Sequence, residues 1–256
     1  MLINTVIIFL RDILPLCVLL CYLKVLFNHI SYSPRSLFLA LLAIVSCVTL
    51  LLKGAPSISS LFDGAGVEVV SSSLLMLFTI GLFLALINGQ TTVIKYAVIV
   101  AVVSLASLKL AGFFHYLTVS VNSVGSLQQF LLACFLGFGI TLSFAVLWLF
   151  VLNELKSKGY RVLLAVLFAS FVAGHLAEAS DLLSQVDLID AGSTAFVLEN
   201  WLSDKSEYGR VLSAIMGYES SPTFAFVITY TVSLVIMLIA FFKSNLALRS
   251  SEDSND

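Results

Sequence analysis

Seven apolar runs succeed one another along the chain, at residues 4–28, 36–53, 64–88, 94–118, 127–153, 160–184 and 223–243. A helix needs about 20 apolar residues to cross a bilayer. Inside hydrocarbon the backbone must satisfy its own hydrogen bonds, which leaves the α-helix as the form open to runs of this length. Only 11% of the 256 residues are charged and 60% are hydrophobic, against roughly 25% charge in an average soluble domain. These features predict an all-α polytopic membrane protein with seven transmembrane helices. One integral domain is expected over 1–246, with a polar, disordered tail at 247–256.

The connections carry turn chemistry. Ser31-Tyr32-Ser33-Pro34, Gly54-Ala55-Pro56-Ser57 and Asn88-Gly89-Gln90 punctuate the first three. Nothing basic precedes the first run, and Arg11-Asp12 interrupts it, so it reads as a span and not as a cleaved leader. With the N-terminus outside, Lys24, Arg35, Lys95, Lys156, Lys158, Arg161, Lys243 and Arg249 fall on the cytoplasmic side. Lys53, Lys205 and Arg210 fall outside, and Arg11 and Lys109 lie within spans. Eight against three favours that orientation, with the C-terminus cytoplasmic. The long connection 185–222 holds two short apolar stretches, Ala195–Leu198 with Trp201-Leu202 and Val211–Met216. Both are expected to form short helices at the outer interface or re-entering the bundle, the second ended by Gly217. Trp201, Tyr208 and Tyr218 suit the interface.

An ionisable side chain inside a span costs about 2.5–3.5 kcal/mol on insertion scales, so each requires a reason. In the orientation above, all of them belong to the outer half. Arg11 and Asp12 lie in span 1, Asp63 and Glu68 open span 3, Lys109 and His115 lie in span 4, and His175, Glu178 and Asp181 lie in span 6. The shared depth predicts a polar, outward-opening vestibule. His175, Glu178 and Asp181 recur every three residues and so share a helix face; that spacing fits a divalent ion or a hydrogen-bonded pair. Arg11 and Asp12 fit a neutralising pair as well as a ligand site. Lys109 fits a structural ion pair with Asp12 or Glu178.

Other chemistry is poorly supplied. No Lys/Arg-rich tract exists for nucleic acid. Cys17, Cys21, Cys47 and Cys134 all lie in apolar runs, where a disulfide framework is not expected. Cys17 and Cys21 share a face, which suits a soft metal or two small apolar side chains. No phosphate loop, catalytic triad spacing or zinc pattern occurs, so a non-enzymatic role without a resident cofactor is expected. Gly137-Phe138-Gly139 reads as close helix packing.

Ile215-Met216-Gly217-Tyr218-Glu219-Ser220-Ser221-Pro222-Thr223, with Val172-Ala173-Gly174, the polar stretch Ser206 to Gly209 and Leu61-Phe62-Asp63-Gly64, resembles signatures of the high-affinity iron permeases. These are oxidase-linked transporters of fungi and their bacterial relatives. The resemblance implies a 3+3 inverted repeat plus a final helix, and iron as the transported ion. It also implies a bacterial inner-membrane setting and an extracytoplasmic oxidase or iron-binding partner. The family carries Arg-Glu-x-x-Glu in spans 1 and 4. Here the first reads Arg11-Asp12-Ile13-Leu14-Pro15, and the second falls near Ser107-Leu108-Lys109-Leu110-Ala111 without a carboxylate.

The leading expectation is a divergent iron permease in which Asp12, Asp63, Glu68 and Glu178 supply oxygen ligands. Arg11, Lys109 and His175 would support them. The alternatives are a non-transporting membrane subunit or scaffold that has lost the ion path, and a thiol-redox protein using Cys17 and Cys21.

Overall fold

The computed structural model describes residues 2–28, 30–123, 127–204 and 206–252. Lys205 and residues 253–256 of the tail lie outside the described residues; the last helix itself runs from Phe224 to Glu252. Among the described residues seven helices are long and apolar enough to cross a membrane: Thr5–Leu26, Pro34–Ser59, Gly66–Ile87, Thr91–Ser120, Phe130–Ser157, Arg161–Ser184 and Phe224–Ser244. The chain is an all-helical, multi-pass membrane protein, and these helices are called spans 1 to 7 below.

Span 6 is the axis of the bundle, with 72% of its apolar window buried against 6% for span 2. Its alanines and Gly174 let neighbours approach closely, and it packs on spans 3 and 7. Span 1 packs chiefly on span 5, and span 4 on spans 2 and 3. Exchanging spans 1, 2 and 3 for 4, 5 and 6 turns the 1–5 pairing into 4–2 and the 2–3 pairing into 5–6. The 1–4 and 3–6 pairings map onto themselves, and all of these occur. The extensive 3–4 packing has no comparable 6–1 counterpart, so the exchange relates only part of the bundle. The core is aromatic at its centre: Tyr22 of span 1 meets Phe168 and Phe171 of span 6, each at 5.4 Å between rings.

Three local expectations are corrected. Gly54-Ala55-Pro56-Ser57 does not break span 2, which continues to Ser59. The hydroxyls of Ser59 and Ser60 donate to the carbonyls of Pro56 and Ser57, satisfying groups that a helix end leaves open. Ala195–Leu198 is extended, not helical. The Ala195 N–H donates to the Pro222 carbonyl (2.9 Å) and the Leu198 N–H to the Ser220 carbonyl (2.7 Å), so the two stretches satisfy each other's backbone. Of the two glycines of span 5, Gly137 meets the Phe9 ring, where a Cβ would approach to 2.6 Å, whereas Gly139 faces open space.

Candidate functional site

Span 1 is distorted where its charges lie. Pro15 has no N–H to give to the Arg11 carbonyl, and the Leu14 N–H reaches back to the Phe9 carbonyl instead, making Phe9–Ile13 a π-helical turn. Such turns recur at functional sites. Neighbouring residues diverge by about 100° around a helix. Here Arg11 faces a cavity, while Asp12 packs toward span 4, where a Cβ on Gly112 would stand 3.6 Å from its Oδ2. Asp12 is 4% exposed. Arg11 Nε and Nη2 donate to its two oxygens at 2.8 and 2.9 Å.

The cavity lies between spans 1, 4 and 6 and the long connection, and measures about 280 Å³. Arg11, Lys109, His175, Glu178, Asp181, Asp204, Arg210, Tyr218 and Glu219 supply its polar wall. Lys109 Nζ donates to both Glu178 oxygens, at 2.7 and 3.0 Å. The Glu178 Oε2 also lies 3.1 Å from His175 Nδ1. His175 is wedged edge-on against Phe171 and Phe78, at 4.9 and 5.4 Å between rings, and its Nε2 is buried without a hydrogen-bond partner.

The connection packs on spans 1 and 6 and makes a close backbone contact beside the cavity. The helix Glu207–Met216 is capped at its start by the Ser206 hydroxyl, which accepts from the Gly209 N–H at 3.0 Å. It ends at Gly217 in the left-handed region, φ 68°. There the chain touches span 6 backbone to backbone: a Cβ on Gly217 would stand 2.1 Å from the Gly174 Cα, and one on Gly174 would stand 2.3 Å from the Gly217 Cα. Only two glycines allow this approach, and it delivers Tyr218 and Glu219 to the cavity. Asp204 fixes the return strand, with both oxygens accepting from the Ser220 N–H at 2.9 Å and one also from the Ser220 hydroxyl. The half-buried Tyr218 lines the cavity, and its hydroxyl donates to the Leu202 carbonyl of the same connection at 2.8 Å. Trp201 and Tyr208 are exposed.

Glu219 is the lining carboxylate of the connection whose affinity for its proton is raised. Partial desolvation at the cavity wall, where the side chain is still exposed, and then Asp204, Asp181 and Glu178 push it up to about 7. Lys109, Arg11 and Arg210 line the same cavity.

The expected residues divide accordingly. Glu178, Lys109, His175 and Arg11 meet at the cavity. Asp12 is turned away, its charge neutralised by Arg11. Asp63 is exposed on a left-handed turn, φ 57°, and neither it nor the half-buried Glu68 lines the cavity. The expected set of four ligands is thus not assembled at one place, and no group of three or more His, Cys, Asp or Glu is arranged to hold a metal among the described residues. Two carboxylates the sequence left unassigned, Asp204 and Glu219, join instead. Glu219 lies in the stretch singled out in the sequence around Gly217, whereas nothing local marked Asp204. His115 is exposed, and the Cys21 thiol donates to the Ala145 carbonyl at 3.3 Å, as a packed core thiol does.

No family model, curated protein or solved structure matches this chain. The fold and site define a polytopic helical membrane protein with a charged cavity lined in part by its long connection.

Proposed function

We propose that the protein conducts a metal cation through this cavity, and that the cation is iron. The carrying observation is the convergence of Glu178, Asp181, Asp204 and Glu219 on the lining of one cavity. Intramembrane carboxylates around a cavity are the usual mark of an ion path, and carboxylate oxygens suit hard cations. The residue likeness of Gly174 and the Gly217–Thr223 stretch to the iron permeases supplies the cargo. Spread around the wall and not focused on one point, the carboxylates suit an ion that keeps part of its water shell. In this reading the cavity opens outward from a plasma or bacterial inner membrane, the C-terminus is cytoplasmic, and an oxidase or iron-binding protein delivers the ion.

Uptake of radioactive iron into proteoliposomes tests it. Equal uptake by the parent protein and by Glu178→Gln combined with Asp181→Asn would rule out this site. One observation favours a second reading, a membrane scaffold without flux: Lys109 and His175 already engage the Glu178 carboxylate. Robust flux by the isolated chain would end that alternative.

A further inference from the structure

The ion pair at the back of the cavity has an asymmetry that bears on which ions enter. The Lys109 side chain is 10% exposed and that of Glu178 is 39% exposed. The ammonium therefore sits behind the carboxylate, sunk in the bundle, and the carboxylate keeps an open side. An arriving ion meets a Glu178 that already has a cation hydrogen-bonded to both oxygens.

We propose that Lys109 is a tethered counter-cation that excludes monovalent ions and sets the cavity to take a divalent one. This rests on the conduction reading above and adds the charge class of the cargo. A monovalent ion brings no more charge than the ammonium already in place, and lacks its two short hydrogen bonds. A divalent ion attracts the same carboxylate about twice as strongly at equal distance, and is drawn also by Asp181, Asp204 and Glu219. Arg11 is answered by Asp12. That leaves four lining carboxylates against two cations, Lys109 and Arg210; the deficit is one positive charge while Glu219 holds its proton and two once an arriving cation displaces it. A single divalent ion fills that deficit. Lys109 also keeps the cavity from binding its ion too tightly to release, a requirement of any conducting site.

The test is flux of Fe(II), Mn(II) and Rb⁺ into proteoliposomes containing the unaltered protein, Lys109→Met or Lys109→Arg, each checked for a monodisperse fold in detergent. The unaltered protein should pass the divalent ions and exclude Rb⁺. Lys109→Met should raise Rb⁺ flux at least tenfold, and Lys109→Arg, which keeps the charge, should restore exclusion. Should Lys109→Met fold poorly with Glu178 unpaired, Lys109→Met combined with Glu178→Gln removes both charges and should still pass Rb⁺ above the parent level. Divalent flux with Rb⁺ exclusion intact in every variant overturns the role of Lys109 and leaves conduction standing. No divalent flux in the unaltered protein, with Rb⁺ passing through Lys109→Met, overturns conduction and supports the lysine as a block. No flux of any ion in any variant overturns both.

Discussion

Replacing Gly217 with alanine attacks the contact that brings the acidic connection to the cavity. Gly217 has φ 68° and ψ 36°, a left-handed conformation that costs an L-residue roughly 1–2 kcal/mol. The new Cβ would lie 2.1 Å from the Gly174 Cα and 3.1 Å from its nitrogen. Both are backbone atoms, so span 6 and the connection must part. Overpacking of this kind costs about 1–3 kcal/mol. The expected loss is therefore about 2–5 kcal/mol. Gly174→Ala carries the steric part alone, with its Cβ 2.3 Å from the Gly217 Cα. It lies in regular helix, where alanine is favoured over glycine by about 1 kcal/mol, so its net loss is about 0–2 kcal/mol. Both changes open the same contact, so the double variant should cost less than the sum. Thermal unfolding in detergent reads the energies, and faster hydrogen exchange over residues 203–222 reports the freed connection. A Gly217→Ala protein as stable as the parent, or a Gly174→Ala protein that loses more than Gly217→Ala, refutes the assignment.

Other expected outcomes follow from the same geometry. Glu178→Gln strands the buried Lys109 ammonium and should cost about 1–3 kcal/mol, below the usual loss for a fully buried pair because Glu178 is partly solvated; combining it with Lys109→Met should recover much of the loss in the same melts. Glu219 is raised from its ordinary 4.5 to about 7, so between these values the folded form holds more protons than the unfolded chain, and stability from this group falls as pH rises. The penalty is absent below about 4.5 and complete above about 7, so Glu219→Gln should melt above the parent at pH 8 and converge with it as the pH falls; a constant gap contradicts the reasoning. Asp204→Ala removes the acceptor of the Ser220 N–H and hydroxyl and should cost about 1–3 kcal/mol, with faster exchange at Ser220 as the local readout.

The spans were legible because each apolar run states its own constraint: a helix in hydrocarbon closes its hydrogen bonds within itself, whatever its neighbours do. Gly217 was legible as a helix end for a similarly local reason. Pro56 misled because a proline marks a lost hydrogen bond and not a chain reversal, and nearby serine hydroxyls kept the last turn of span 2 satisfied. Ala195–Leu198 misled because its partner, Ser220 to Thr223, lies more than twenty residues on, beyond any local pattern.

From the sequence alone came the all-helical membrane-spanning form, the spans that carry charges and Gly217 as a helix end in the long connection. Each follows from residues within a few turns of one another. Only tertiary structure decided which charges meet. Lys109 and Glu178 are 69 residues apart, and the π turn at Pro15 sends Arg11 to the cavity and Asp12 away from it. Charge partnership depends on how helices rotate and pack, and a helix carrying one or two polar residues does not disclose which neighbour its polar face will find.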